Sequence, residues 1–186
     1  MLPKLSFEIP PIRFGLYAVL TIFSFILFCL TAARIGYTTN LPHGDPLNGG
    51  VNFYEPYAAE LLFTGLITVL WCIFVLFAML KRLEFRFIAT FLGEIVVLAI
   101  LWLFWIVGAG VASASWIGLE GCQLFEACRL LSALLGFAWL SWIVLTALLI
   151  VTVLFSLANN ALQQPLHGRW DPRISTYSSA RTSRAF

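Results

Sequence analysis

Four apolar runs, at residues 14–33, 57–80, 87–112 and 130–157, alternate with short polar stretches along the chain. A helix rises about 1.5 Å per residue and the hydrocarbon core of a bilayer is about 30 Å thick, so about 20 apolar residues cross it once. Each run meets that length. The runs are continuous rather than alternating, which predicts helices and not the strands of a membrane barrel. Helices also satisfy their own backbone hydrogen bonds, which lipid cannot do. The stretches between them carry loop chemistry. Residues 34–56 contain Pro42, Gly44, Pro46, Gly49, Gly50 and Pro56, all turn formers or helix breakers. Lys81, Arg82 and Arg86 mark a tight turn, residues 113–129 form a short loop, and Pro165 and Pro172 punctuate the tail. The prediction is an all-α membrane protein: a short segment 1–13, a four-helix transmembrane bundle over 14–157, and a mobile tail 158–186.

Composition agrees with that pattern. The chain is 61% hydrophobic and 11% charged, against roughly half apolar and about a quarter charged for soluble domains. A soluble globule of this size would lack the polar surface to face water. The first run shares features with a cleaved secretory signal, because Lys4 and Arg13 precede it and Thr31-Ala32-Ala33 resembles a cleavage site. The hydrophobic region of a signal is typically about 7–15 residues, and this run is longer, so a retained span is expected.

Charge distribution sets the orientation. With four spans, Lys4, Arg13, Lys81, Arg82, Arg86, Arg169, Arg173, Arg181 and Arg184 fall on one side, and only Arg34 and Arg129 on the other. Lys and Arg are retained in cytosolic segments, so both termini are expected in the cytosol. Asp45, Glu55, Glu60, Glu120 and Glu126 fall on or near the opposite side.

Candidate chemistry is sparse. Cys29 and Cys72 lie in apolar runs and read as small buried hydrophobes. Cys122 and Cys128 lie in the last loop, on the side facing an oxidising compartment, where disulfides persist. A Cys122–Cys128 bridge is expected there, with free thiols as the alternative. Glu94 is the clear charge inside a span, and such acids are functional-site candidates. It lies eight residues past Arg86, about 12 Å from the basic turn, where it is either protonated or within reach of a hydroxyl, a water or an Arg at that end. Glu60 is expected to snorkel toward the nearer interface. Gly108 with Ala112, Gly110 with Ala114, and Ser132 with Gly136 have the four-residue spacing that lets membrane helices approach closely. They predict a tight hairpin of the third and fourth spans. Trp102, Trp105, Trp139 and Trp142 read as packing and lipid contacts, and Trp116 as an interfacial residue.

The tail holds Arg169, Arg173, Arg181 and Arg184 among serines and threonines. Such a segment suits anionic headgroups, and phosphorylation would cancel the attraction. No phosphate-binding loop, dinucleotide fingerprint, zinc-protease motif or nucleophile elbow is present. His43 and His167 lie in connections on opposite sides of the membrane, which argues against haem ligation. No catalytic residue, metal or cofactor is expected, nor a nucleic-acid partner.

The short basic second turn Leu80-Lys81-Arg82-Leu83-Glu84-Phe85-Arg86 carries a family resemblance. So do the third span from Glu94 through Trp102-Leu103-Phe104-Trp105-Ile106-Val107-Gly108-Ala109-Gly110, and the Cys-bearing loop leading to Ala138-Trp139-Leu140-Ser141-Trp142. Over about residues 10–160 the chain resembles the MARVEL-domain proteins, particularly the fungal ones. The resemblance rests on topology and composition, since that family has no catalytic motif. It implies a role in organising membrane microdomains, membrane apposition or vesicle trafficking at the plasma membrane or in the secretory pathway. Its implied partners are sterol-rich or anionic lipid and homo- or hetero-oligomers with other membrane proteins. The alternative reading is a small transporter, channel or transporter subunit that uses Glu94.

Overall fold

The structure is a computed structural model that describes residues 9–41, 50–81, 90–116 and 126–159. Among the described residues the regular elements are four α-helices: α1 (Ile9–Thr39), α2 (Pro56–Lys81), α3 (Phe91–Ser115) and α4 (Glu126–Asn159). All four are long and apolar enough to cross a membrane, so the chain is a multi-pass integral membrane protein.

Local chemistry sets several ends. Pro56 opens α2, where its fixed φ suits the first turn and its missing N–H is not needed. Thr90 caps α3, its hydroxyl accepting from the Gly93 N–H at 3.3 Å, which satisfies a donor the helix cannot. Between α1 and α2 the chain turns through Gly50 at φ 76°, a left-handed conformation open to glycine. It then returns onto α1, with Phe53 N–H donating to Thr38 O (3.0 Å) and Leu41 N–H to Asn52 Oδ1 (2.8 Å).

The helices alternate in direction around a ring in which α1 packs on α2 and α4, and α3 on α4 and α2. The start of α1 and the end of α4 therefore lie at the same end of the bundle. The interior is built from Leu20, Leu27, Leu61, Leu98, Trp105 and Leu134, all fully buried. Outward positions such as Phe25, Phe63, Leu103 and Ile143 are apolar and exposed, as a lipid-facing surface requires. Gly65 sets the α1–α2 approach: a Cβ there would lie 3.3 Å from Ser24 O.

Two helices outrun the lengths expected from the sequence. The apolar runs place Arg13 before the first span and Arg34 in a loop. Instead α1 contains both, and both are buried, at 2% and 3% exposure. Each has a carboxylate partner supplied by another part of the fold, so neither charge ends the helix. α4 likewise starts at Glu126 rather than at residue 130.

Three hydroxyls inside the spans follow one scheme. Thr68, Ser113 and Thr146 each donate to the carbonyl four residues back, all at 2.7 Å. This leaves each oxygen free to accept, and each does so from an indole of a neighbouring helix. Trp105 Nε1 donates to Thr68 (3.1 Å), Trp139 Nε1 to Ser113 (3.1 Å) and Trp102 Nε1 to Thr146 (2.9 Å). These relays join α3 to α2 and to α4. Three of the four tryptophans expected as packing residues, Trp102, Trp105 and Trp139, are thus also interhelical donors.

Candidate functional site

The most polar place in the bundle interior surrounds Glu94, on the first turn of α3 and fully buried. Arg13 Nη2 of α1 donates to its Oε2 at 2.5 Å, and the Tyr17 hydroxyl, one turn further along α1, donates to its Oε1 at 2.5 Å. Thr152 of α4 donates to Oε1 at 3.3 Å. The Arg13 guanidinium lies over the Phe91 ring, 4.7 Å from its centroid, and Phe91 meets Phe155 at 5.3 Å. A cation over a ring face is attracted by the ring quadrupole. Charge, hydrogen bonds and aromatic cover come together, so the two buried ions neutralise each other within the bundle. The sequence placed Glu94 within reach of a hydroxyl or a basic side chain at that end, and the fold supplies both.

A second ion pair sits at the other end. Arg34 of α1 donates from Nε and Nη2 to the two oxygens of Glu55, each at 2.9 Å. That forked geometry is the strong form of the pair. The Tyr57 hydroxyl (3.3 Å) and Trp116 Nε1 (3.4 Å) also donate to Glu55, and the two rings meet edge to face at 5.1 Å. Trp116 is therefore a bonded member of this cluster.

Glu60 departs from expectation. Rather than reaching for the interface, its carboxyl turns against α3. The Thr64 hydroxyl donates to Oε1 at 2.8 Å, while Oε2 is buried without a hydrogen-bond partner. Space for it comes from Gly108, where a Cβ would fall inside the Glu60 carboxyl and 2.9 Å from a Leu61 methyl.

The small-residue pairs divide accordingly. Gly108 and Ala112 are buried, but Gly108 faces α2 rather than α4. Gly136 is exposed, with nothing within 4 Å of a Cβ built there, and Gly110 likewise has open space. Ser132, half-buried, donates to Cys128 O at 3.0 Å. The expected close approach at Gly136 is therefore corrected: that glycine faces open space, and the α3–α4 seam carries the Trp102 and Trp139 relays.

Cys29 and Cys72 are free thiols, exposed and buried respectively. Cys29 faces outward rather than into the core. Cys122 lies outside the described residues, and the proposed Cys122–Cys128 bridge with it. Arg169, Arg173, Arg181 and Arg184 also lie outside them. Among the described residues no three metal-ligating side chains converge. Arg13, Tyr17 and Thr152 were not singled out by sequence. The available signal was a basic residue and a tyrosine four apart on one face of α1, at the end where Glu94 enters.

No protein-family model, curated protein or solved structure matches this chain. The class defined by fold and site is a four-span helical membrane protein with internally paired charges.

Proposed function

We propose that the chain is a non-enzymatic membrane organiser with both termini in the cytosol, acting in microdomain organisation, membrane apposition or vesicle trafficking. The observation that carries this reading is the state of Glu94. An ion carrier needs an acid that exchanges its partner, whereas this carboxylate is held by Arg13, Tyr17 and Thr152 of the same bundle. What remains for interaction is the apolar outer surface, the connections and the basic tail. The orientation draws support from the pairing as well. Setting aside Arg13 and Arg34, which are matched internally, the nine-to-two distribution of Lys and Arg becomes eight to one.

The finer parts of the proposal are a Cys122–Cys128 bridge in the non-cytosolic loop, self-association or association with other membrane proteins, and a tail that meets anionic lipid. Sterol-rich membrane of the plasma membrane or secretory pathway is the proposed setting. The test uses the full chain, fluorescently labelled, in giant vesicles that separate into sterol-rich and fluid phases, together with an ion-flux assay in liposomes. Clustering or phase preference without flux is expected. Flux that Glu94→Gln abolishes in folded protein would establish the transporter reading instead.

A further inference from the structure

We propose that the bundle tapers, broad where α1 starts and α4 finishes and narrow at the opposite end, and that this shape draws it into membrane curved with the broad end on the convex face. The taper is argued from side-chain size alone. Its bearing on vesicles deepens the function proposed above and rests on that reading's cytosolic placing of the termini.

Two clusters fix the levels to compare. Arg13, Glu94 and Thr152 meet at one end, and Arg34, Glu55 and Trp116 at the other. Around the first, the outward face carries Ile12, Phe14, Leu92, Leu154 and Leu157, with Leu80 at the close of α2, all large and exposed. Around the second it carries Ala33, Gly36, Ala114, Ser115, Ala133 and Gly136, all exposed and small. Gly136 shares the level of Trp116 because Trp139 bonds to Ser113 on the antiparallel α3. The large apolar side chains exposed on the helices at this end are Tyr37 and Val111. Phe63 faces outward on α2 but lies seven residues in from Pro56, about 10 Å deeper.

The interior changes in step, which is a separate observation. Toward the broad end the buried face of α3 is Phe91, Glu94, Leu98, Leu101 and Trp105, and toward the narrow end it is Gly108, Ala109 and Ala112. At the broad end the Arg13 guanidinium, the Tyr17 ring, Phe91 and Phe155 fill the space between α1, α3 and α4. Small residues let membrane helices approach closely. At Gly108 that approach leaves no room for a Cβ, which would lie 2.9 Å from a Leu61 methyl of α2. Loss of bulk inside and loss of bulk outside act in the same direction, so the cross-section shrinks toward Trp116.

A body of unequal cross-section displaces more lipid area from one leaflet than from the other. The imbalance is relieved where the leaflet around the broad end is stretched, which is the convex side of a curved membrane. Modest costs of fit between a protein and its bilayer are enough to sort it among membranes. A vesicle or tubule that buds toward the cytosol has its cytosolic leaflet on the convex side. With cytosolic termini the broad end lies in that leaflet, and the taper favours the bud over the flat membrane that it leaves.

The test uses the full chain, labelled at its first residue, in giant vesicles from which narrow membrane tethers are pulled outward. Accessibility of the label from outside reports orientation. The ratio of protein to lipid fluorescence in the tether, relative to the parent vesicle, should exceed one when the start of α1 faces out and fall below one when it faces in. A variant carrying Ala33→Leu, Gly36→Leu, Ala133→Leu and Gly136→Leu fills the narrow end. These positions are exposed, and a Cβ at either glycine meets nothing within 4 Å, so the helices should be retained, as circular dichroism would show. Its ratios should move toward one in both orientations. Equal ratios for the two orientations of the wild-type protein would overturn the taper, and so would undiminished sorting of the filled variant. Ion flux in the liposome assay would remove the proposed function and leave the taper standing.

Discussion

The two ion pairs make an instructive contrast. Arg34–Glu55 joins residues 21 apart, where the chain leaves α1 and enters α2. Arg13–Glu94 joins residues 81 apart, on helices that face each other across the ring rather than pack as neighbours. The first lies near a membrane edge and ties consecutive segments. The second lies inside the bundle and adds Tyr17 and Thr152, so that three helices meet on one carboxylate. A pair at the edge can be formed as soon as one hairpin exists. A pair across the diagonal needs α1, α3 and α4 all in place, and so reports that the whole bundle has closed. The same separation of charge from water that makes it costly to assemble makes it costly to break.

The difference should be measurable. Glu94→Ala leaves Arg13 buried beside Phe91 without its counter-ion, and should cost about 3–5 kcal/mol, the usual penalty for orphaning one member of a buried pair. Replacing both together, Arg13→Leu with Glu94→Leu, should recover most of that loss. If the double variant is as unstable as the single one in denaturant titrations of the reconstituted protein, the pairing account of this site fails. Glu55→Ala should cost less, about 1.5–3 kcal/mol for lost charge-assisted hydrogen bonds, because Arg34 is long enough to reach the nearby headgroups. Equal losses for Glu55→Ala and Glu94→Ala would remove the contrast.

Smaller effects probe the seams between the clusters. Gly108→Ala drives a methyl into the Glu60 carboxyl and should cost about 1–3 kcal/mol as overpacking. Gly136→Ala, on the open face of α4, should stay within about 0.5 kcal/mol of the parent. Thermal unfolding of the two variants side by side distinguishes them. Trp102→Phe keeps most of the ring contact with Trp142 at 5.7 Å but removes the indole donor to Thr146. A loss of about 0.6 kcal/mol, the average for polar contacts between membrane helices, is expected in a double-mutant cycle with Thr146→Val.

Much of the architecture was legible in the chain. Apolar run length dictated four helices, because a backbone in lipid has no other way to satisfy its polar groups over that distance. An even number of runs put the start of the first helix and the end of the last at one end of the bundle. Glu94 stood out because an acid within an apolar run has no water to meet. Run length could not locate the partners. Arg13 and Arg34 sit at the margins of the first run, where a basic residue reads equally well as a flanking charge in water. Only the packing of α1 against the rest turned them inward.

The sequence by itself determined the number of spans, their approximate limits and the residues whose burial would be expensive, since each follows from local hydrophobicity and backbone hydrogen bonding. Tertiary structure alone decided which charge neutralises which, that Gly108 opens toward α2 and Gly136 toward lipid, and that Glu60 turns inward instead of snorkelling. Those choices depend on which helix face meets which neighbour. Four spans of nearly uniform apolarity carry no strong sidedness of their own to announce it. The faces are selected when side chains distant in sequence find partners across the bundle, and Glu94 with Arg13, Tyr17 and Thr152 is where that selection is most visible.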